Sequence, residues 1–165
     1  MSRPWRPKLL RKSAKPPAVL CVADAALPRP ARAEEAPAIA RLIDAAYQPY
    51  RDQGIVLPDV SGGVSDSIAA GQVWVTDDLS GVLVLATRIP KAHLMNVAVS
   101  PDARGRGIGG QLIRWALELA QEAGCAEIAL ATHVDMPDNV ALYTHLGWQE
   151  TERDATRVMM VRPLP

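Results

Sequence analysis

A short segment in the second half of the chain has the composition of an anion-binding loop. It reads SPDARGRGIGG over residues 100–110, and an apolar, helix-forming stretch follows it directly. Backbone N–H groups in such a loop, and at the N-terminus of the following helix, are free to bind an anion, and the helix dipole favours negative charge there. Glycine suits this role because a Cβ atom would block the approach of the anion to the backbone. The segment therefore predicts a phosphate or pyrophosphate site.

Three kinds of phosphate site compete for this segment. A P-loop needs a Lys-Ser or Lys-Thr pair after the glycines, and neither pair occurs here. Gly105, Gly107 and Gly110 satisfy the G-x-G-x-x-G pattern of dinucleotide folds, but that fold places its first glycine at the strand end, whereas five residues separate Val99 from Gly105. Only 30 residues follow Asp135, too few for the rest of a doubly wound sheet. We therefore favour the third kind, a site for the pyrophosphate of an acyl-CoA.

The chain around this segment alternates between strand and helix patterns. The patterns predict helices over residues 34–50, 64–71, 107–123 and 137–146, strands over 72–77, 81–88, 92–100 and 126–133, and a terminal hairpin over 148–163. Pro49 is expected to end the first helix, and Asp135 to cap the last one. The strand at 126–133 should run parallel to the one at 92–100 through a right-handed crossover. This order predicts an α/β (α+β) fold with a mixed, mostly antiparallel sheet and helices on both faces.

Length and charge restrict the class of protein. The 165 residues suffice for one domain, and the net charge is zero but unevenly spread. Residues 1–23 carry six positive charges and no acid, so the remainder carries a net charge of −6. A mildly acidic body argues against nucleic acid as the main partner of the folded domain. We expect residues 1–26 to be a basic, Pro-rich, poorly ordered leader, with a tether or transit segment as alternatives, and residues 27–165 to form the domain.

Cysteine and histidine usage indicates a reduced, metal-free protein. Cys21 and Cys125 are the only cysteines, and two lone thiols are typical of a cytoplasmic protein. No CxxC or HExxH spacing occurs and the three histidines are isolated, so no metal site is expected. The apolar run at residues 18–23 is far shorter than the roughly 20 residues of a membrane span, so no membrane association is expected.

Two motifs resemble those of a known family. The stretch VAVSPDARGRGIG at residues 97–109 is similar to motif A of the GNAT superfamily of acyl-CoA-dependent N-acetyltransferases, [Q/R]-x-x-G-x-[G/A], with Arg104, Gly107 and Gly109 at its three fixed places. The stretch DMPDNVALYTHLGWQE at residues 135–150 resembles the helix of that family that ends in L-Y-x-x-L-G-[F/W/Y]. The resemblance covers residues 27–164 and implies a GNAT fold, with a splayed pair of central parallel strands. It also implies transfer of an acetyl group from acetyl-CoA to an amine by direct attack in a ternary complex.

The resemblance implies roles for individual residues. Backbone groups of Val97, Ala98 and Val99 would bind the pantetheine amides, and the pyrophosphate would be held by Arg104, Gly105, Arg106, Gly107, Ile108 and Gly109. Tyr143 matches the tyrosine that the family places near the sulfur, where its hydroxyl can protonate the leaving thiolate. Asn139 lies four residues earlier on the same helical face and is a candidate cofactor contact. Many members carry their asparagine seven residues before the tyrosine, where this chain has Met136.

The general base is not evident in this chain. Family members often carry a glutamate in the strand that corresponds to residues 92–100 here, and Met95 occupies that position in this chain. His93, on the same alternating face as Met95 and Val97, and His133, at the end of the next strand, are the candidate bases, since histidine titrates near neutral pH. The missing acid keeps a second hypothesis open, in which the domain binds acyl-CoA as a sensor or assembly module without efficient turnover.

The acceptor pocket should come from the first helices and the loop after them. Tyr47, Tyr50 and Arg51 are the candidate lining residues, and Arg51 could bind the carboxylate of an amino acid. Small amines, amino acids, aminoglycosides, peptide N-termini and protein lysines all stay open, because specificity in a shared fold lies in its variable loops. The expected partner is thus a small-molecule or peptide amine, and formation of a homodimer, which is common in the family, stays open as well.

Overall fold

The computed structural model describes residues 27–165, and the expected leader over residues 1–26 lies outside the described residues. Four α-helices and seven strands make up the described part of the chain: β1 (Arg29–Pro30), α1 (Ala36–Asp52), α2 (Val64–Ala69), β2 (Val73–Val75), β3 (Gly81–Arg88), β4 (Lys91–Val99), α3 (Ile108–Glu122), β5 (Glu127–His133), α4 (Pro137–His145), β6 (Gln149–Arg153) and β7 (Arg157–Pro163). Short 3₁₀ turns at Ala33–Glu35 and Pro101–Ala103 precede α1 and the glycine-rich loop.

All seven strands form one sheet in the order β1-β2-β3-β4-β5-β7-β6. Every neighbouring pair is antiparallel except β4 and β5, which are parallel. The parallel pairing extends only from Lys91 opposite Glu127 to His93 opposite Ala129. Beyond that point the two strands continue without pairing to each other, so the sheet opens at its centre. The predicted mixed sheet with a splayed parallel pair is confirmed.

Helices cover both faces of the sheet, as predicted. The face under α3 and α4 carries a core that includes Leu85, Leu94, Leu112, Ile128 and Trp148. The face under α1 and α2 carries a second core, built on the apolar stripe of α1 and on side chains from the first half of the sheet: Ile39, Leu42, Ile43, Ala46, Val75, Val84 and Ala98. Within residues 27–165 no helix has both the length and the apolar character needed to cross a bilayer.

Gly81 lets α3 lie close to the sheet at the end that carries the glycine-rich loop. A Cβ atom on Gly81 would stand 2.7 Å from Cγ2 of Ile108 and 3.0 Å from Cδ1 of Leu112. Contacts that short do not occur in well-packed cores, so the first turn of α3 approaches β3 only because this residue has no side chain. This close packing fixes where the N-terminus of α3 points.

Two helix ends differ from the expectation. Pro49 lies inside α1, and the helix continues to Asp52, so the prediction that Pro49 ends it is wrong. A proline inside a helix costs one backbone hydrogen bond, and tertiary packing of α1 against the sheet outweighs that cost here. Asp135 makes no side-chain cap, because the N-cap residue of α4 is Met136, and the backbone N–H of Asp135 instead donates to Nδ1 of His133 at 3.1 Å.

A β-bulge in β4 was not predicted. Val84 pairs with Asn96 and Leu85 pairs with Leu94, so Met95 is an extra residue with no partner on β3. A bulge of this kind bends the strand and re-aims the side chains that follow it. Met95 is 57% exposed, and it marks the point beyond which β4 departs from β5.

The bulge reverses the faces on which the later side chains of β4 lie. Ala92 and Leu94 before it, and Val97 after it, all pack into the core under α3. Regular alternation would put Val97 on the other face, together with His93. The expectation that His93 shares a face with Met95 and Val97 is therefore wrong for Val97, because the extra residue shifts the alternation by one position.

Candidate active site

The glycine-rich loop presents unpaired backbone N–H groups at the start of α3. Gly105 and Gly107 have φ angles of +78° and +76°, which favour glycine strongly, and Gly107 is the N-cap residue of α3. The first helical hydrogen bond runs from N of Gln111 to O of Gly107 at 3.1 Å, so no backbone carbonyl of the described chain accepts from the N–H groups of residues 108–110. A Cβ on either glycine would meet no atom within 4 Å, so the loop is open on that side.

The two arginines of the loop differ in their surroundings. Nη2 of Arg104 donates to the backbone carbonyl of Ala46 in α1 at 3.0 Å, so this side chain ties the loop to α1. Arg106 is exposed. Both guanidinium groups add positive charge beside the N-terminus of α3, where the helix dipole already favours an anion.

A cleft opens between β4 and β5 where the two strands separate. This central cleft has a volume of about 280 Å³. Its walls come from both strands, from α1 and from the facing ends of α3 and α4: Tyr47, Leu94, Met95, Asn96, Val97, Val99, Gly109, Gly110, Ile113, Leu130, Ala131, Thr132, Asn139, Leu142, Tyr143 and Leu146. The cleft thus runs from the glycine-rich loop through the opening in the sheet.

A second cavity of about 340 Å³ lies beside the central cleft. The loop at residues 57–60 forms one wall of this outer cavity, which is also lined by His133, Met136 and Arg157. Six residues line both cavities: Tyr47, Met95, Asn96, Ala131, Thr132 and Asn139. We call this shared wall the junction, and it joins the two cavities at the opening of the sheet.

Two tyrosine hydroxyls face the central cleft. Burial raises the pKa of Tyr143, and the nearby Tyr47 and Tyr50 raise it further. Burial likewise raises the pKa of Tyr47, with a smaller effect from Tyr50. The ring of Tyr143 packs edge-on against Trp148, with 5.5 Å between the ring centroids. Both hydroxyls therefore keep their protons at neutral pH. The Tyr47 hydroxyl donates its hydrogen to Oδ1 of Asn96 at 3.1 Å, so the hydroxyl of Tyr143 is the one that can donate to a ligand in the cleft.

The structure brings most of the predicted site residues together. Val97, Val99, Gly109, Asn139 and Tyr143 line the central cleft, while Tyr47 lines both cavities and His133 lines the outer one. Gly105, Gly107 and Ile108 form the loop and first turn beside the cleft, with Arg104 and Arg106 flanking them. The side chain of Ala98 is buried in the core under α1.

Three of the residues predicted for catalysis or acceptor binding, namely His93, Tyr50 and Arg51, line neither cavity. His93 lies at the last paired position of β4 and β5, below the opening. The ring of Tyr50 lies 6.2 Å from that of Tyr47, and Arg51 pairs with Asp44 at 3.8 Å. Sequence reasoning missed Asn96, Met136, Arg157 and the loop at residues 57–60. Of these, only Asn96 could have been singled out from the sequence, because it is a polar residue inside the apolar stretch LMNVAV.

The fold is that of solved acetyltransferases. The sequence model of the acetyltransferase (GNAT) family matches residues 39–148, and the chain belongs to that family. The uncharacterized N-acetyltransferase YvbK of Bacillus subtilis is 32% identical over 77 residues, covering 46% of this chain and 50% of that protein. The N-alpha-acetyltransferase MAK3 of Arabidopsis thaliana is 34% identical over 84 residues, covering 46% of this chain and 44% of that protein. The chain thus spans about half the length of these relatives.

A solved structure shares the fold. The PaiA N-acetyltransferase from Thermoplasma acidophilum, determined in complex with coenzyme A, superposes with a TM-score of 0.70 at 17% sequence identity. The match covers 82% of this chain and 97% of that one. The similarity therefore extends over nearly the whole described domain.

Proposed function

We propose that this protein is an N-acetyltransferase that moves the acetyl group of acetyl-CoA directly to an amine in a ternary complex. The observation that carries this proposal is the junction, where six residues line both cavities. A thioester at the end of the central cleft would be reachable from the outer cavity. No covalent enzyme intermediate is needed when both reactants meet in this way.

The loop and the strand opening have the features that coenzyme A needs. Unpaired N–H groups at the start of α3 and the positive charge of Arg104 and Arg106 suit a pyrophosphate. Beyond His93, β4 has a free edge toward β5, and its backbone groups suit the pantetheine amides. The complex of the PaiA protein with coenzyme A supports the same assignment.

The chemistry requires an attacking amine and a protonated leaving group. Acetyl-CoA, once bound, supplies the thioester whose C–S bond breaks as the C–N bond forms. Tyr143 donates its hydroxyl proton to the departing sulfur, and the resulting phenolate takes up the proton that the amine nitrogen loses once the C–N bond has formed. The raised pKa of Tyr143 means that its hydroxyl is protonated at neutral pH, as this role requires. Asn139, on the same face of α4, lines the junction, where its side chain would orient the acetyl group.

A cofactor-binding sensor without efficient turnover is the second candidate function. One observation favours it, since no carboxylate lines the central cleft among the residues that the structure describes. The domain would then bind acyl-CoA and report its presence to a partner.

One pair of measurements separates the two functions. The purified chain is incubated with acetyl-CoA and a broad panel of amines while release of free thiol is recorded, and coenzyme A binding is measured by calorimetry. Thiol release above background with at least one amine supports the transferase. Binding without thiol release for any amine supports the sensor, and absence of both contradicts the assignment of the loop.

A further inference from the structure

We propose that the acceptor is an α-amino group, as in a peptide N-terminus or an α-amino acid derivative, and that it enters the junction already in its neutral form. This inference rests on the proposed transferase function and names the class of amine used at that site. It follows from which titratable groups line the two cavities and where each one lies.

The junction carries no group that can remove a proton at neutral pH. Its lining residues are tyrosine, methionine, asparagine, alanine and threonine. The titratable side chains of the central cleft are Tyr47 and Tyr143, and burial raises the pKa of both. Neither phenol accepts a proton in that state. Within residues 27–165 no carboxylate belongs to the junction, so an ammonium there would be unpaired, and burying an unpaired charge is costly.

The outer cavity has three titratable groups in addition to Tyr47, namely Asp59, His133 and Arg157. The bond from the backbone N–H of Asp135 occupies Nδ1 of His133, so a neutral imidazole carries its hydrogen on Nε2. The remaining nitrogen of His133 is then a donor and has no free lone pair for a proton.

Arg157 and His133 together form a pair of donors. They lie directly opposite each other on β7 and β5, so their side chains share one face of the sheet. The guanidinium of Arg157 also pairs with Asp154 at 3.2 Å, which leaves further N–H groups free. Two neighbouring donors suit a carbonyl or carboxylate oxygen. In an α-amino acid or a peptide, a carbonyl or carboxylate oxygen is three bonds away from the α-amine nitrogen. The side-chain amine of lysine has no oxygen nearby.

Asp59 is the one carboxylate among the described lining residues. It is exposed on the loop at residues 57–60, and its Oδ1 accepts a hydrogen bond from the hydroxyl of Ser61 at 3.4 Å. Asp59 lines the outer cavity but not the central cleft. It therefore borders the outer cavity without belonging to the junction, where the amine nitrogen must attack in its neutral form.

Amine basicity then decides which acceptors react. The α-amino group has a pKa of about 8 and the lysine amine one of about 10.4, so at pH 7 the neutral fraction of the α-amine is roughly 200-fold larger. In a site that does not deprotonate its acceptor, the rate is proportional to the neutral fraction of the amine, so this difference appears in kcat/KM. The more basic amine recovers part of it through greater nucleophilicity, so we expect kcat/KM at pH 7 to favour the α-amine by at least about tenfold.

Two isomeric acceptors test this preference with matched size and composition. Nε-acetyl-lysine amide has a free α-amine, and Nα-acetyl-lysine amide has a free side-chain amine. Both are offered as single residues and at the head of a short peptide, and thiol release gives kcat/KM at pH 7. Equal rates or a preference for the side-chain amine would overturn the inference while leaving the transferase function standing. Absence of turnover with every amine of the broad panel would overturn both.

The pH profile tests the absence of a protein base. The inflection of kcat/KM should follow the titrated pKa of the acceptor when two α-amino amides of different basicity are compared. An inflection that stays at one pH for both acceptors would show a base on the protein and contradict the inference.

Two variants extend this test to the groups of the outer cavity. His133→Asn retains an acceptor for the N–H of Asp135, and Asp59→Asn removes the carboxylate. The position of the inflection should persist in both variants, whereas kcat/KM for the α-amine should fall by about fivefold in His133→Asn, the equivalent of one hydrogen bond, because one of the two donors is replaced. His145→Gln, on the exposed end of α4 and outside both cavities, serves as the control. A shift of the inflection in His133→Asn or Asp59→Asn alone would identify that residue as the base and refute the proposal.

Discussion

Tyr47 donates a hydrogen bond of 3.1 Å to Oδ1 of Asn96, and this bond joins α1 to β4 at the junction of the two cavities. Nδ2 of the same asparagine donates to the backbone carbonyl of Val60 at 3.3 Å. Asn96 directly follows the bulge at Met95, which aims it toward α1. One side chain thus holds both a helix and the loop at residues 57–60 against the opening of the sheet.

Replacing Asn96 should weaken acceptor binding more than cofactor binding. Asn96→Ala removes two hydrogen bonds, each with a net value of about 1 kcal/mol, and leaves the hydroxyl of Tyr47 without its acceptor. We expect KM for the acceptor to rise by roughly tenfold, in line with that free energy, while the Kd of coenzyme A changes by less than about twofold. Tyr47→Phe, which removes one of the two bonds, should have an intermediate effect. Equal losses in both affinities would mean that Asn96 supports the fold rather than the acceptor wall.

A bulky acidic side chain in the loop should abolish cofactor binding. Gly107→Glu places a carboxylate where the structure has open space and opposes the anion expected there. It also forces a non-glycine residue to φ near +76°. Gly71→Glu is the matched control, because Gly71 has a φ of +70° and open space but lies far from the loop in sequence, after α2. Calorimetry should show no coenzyme A binding by the first variant and normal binding by the second; retained binding in Gly107→Glu would remove the loop from the site.

Tyr143→Phe should lower turnover and spare cofactor affinity. The ring keeps its contact with Trp148, and only the proton donor is lost. General acids contribute roughly 10²-fold or more, so kcat should fall by about that factor while the Kd of coenzyme A stays nearly unchanged. Tyr50→Phe is the comparison, since Tyr50 lines neither cavity. An unchanged kcat in Tyr143→Phe would exclude this hydroxyl from the chemistry.

Substitutions of the two arginines of the loop should have different effects on stability. Arg104→Ala removes the bond to the carbonyl of Ala46, so we expect the free energy of unfolding to fall by about 1 kcal/mol together with coenzyme A affinity. Arg106→Ala removes only an exposed charge and should lower the affinity without a change in Tm. Both affinity losses should shrink at high salt. The same Tm for both variants would indicate that the contact with α1 contributes nothing to stability.

Protonation of Glu35 should contribute to the loss of folding stability at low pH. Its bonds to Arg29 and to the backbone N–H of Arg32 lower its pKa from 4.5 to about 2. A carboxyl whose pKa is lowered by folding stabilises the protein above its unfolded pKa, and this contribution is lost as the pH falls from about 4.5 to 2. Chemical unfolding, followed by tryptophan fluorescence, should therefore show a shallower loss of stability over that range for Glu35→Gln than for the exposed control Glu34→Gln. Identical pH dependence of the two variants would contradict the assigned pKa.

Local sequence patterns predicted much of the fold and the position of the glycine-rich loop at the start of α3. The apolar stripe of α1, the strand from Gly81 to Arg88 and the glycine-rich start of α3 all occur where their patterns indicate. Such features depend on side-chain periodicity and on glycine conformations within a few residues, which sequence displays directly. Pro49 misled for the opposite reason, because packing of α1 against the sheet outweighed a local preference. Asp135 misled because the N-cap position of α4 falls on the next residue, Met136.

The sequence by itself determined the family motifs, the order of the elements and the anion loop at residues 104–109, since each is written in neighbouring residues. The tertiary structure alone decided the bulge at Met95, the place of the outer cavity and the role of Asn96. The bonds of Asn96 join residues 49 and 36 positions apart in the chain, so no local pattern could reveal them. The proposed cofactor site is local in sequence, whereas the proposed acceptor site is assembled from distant segments, and that difference explains why the sequence pointed mainly to the first.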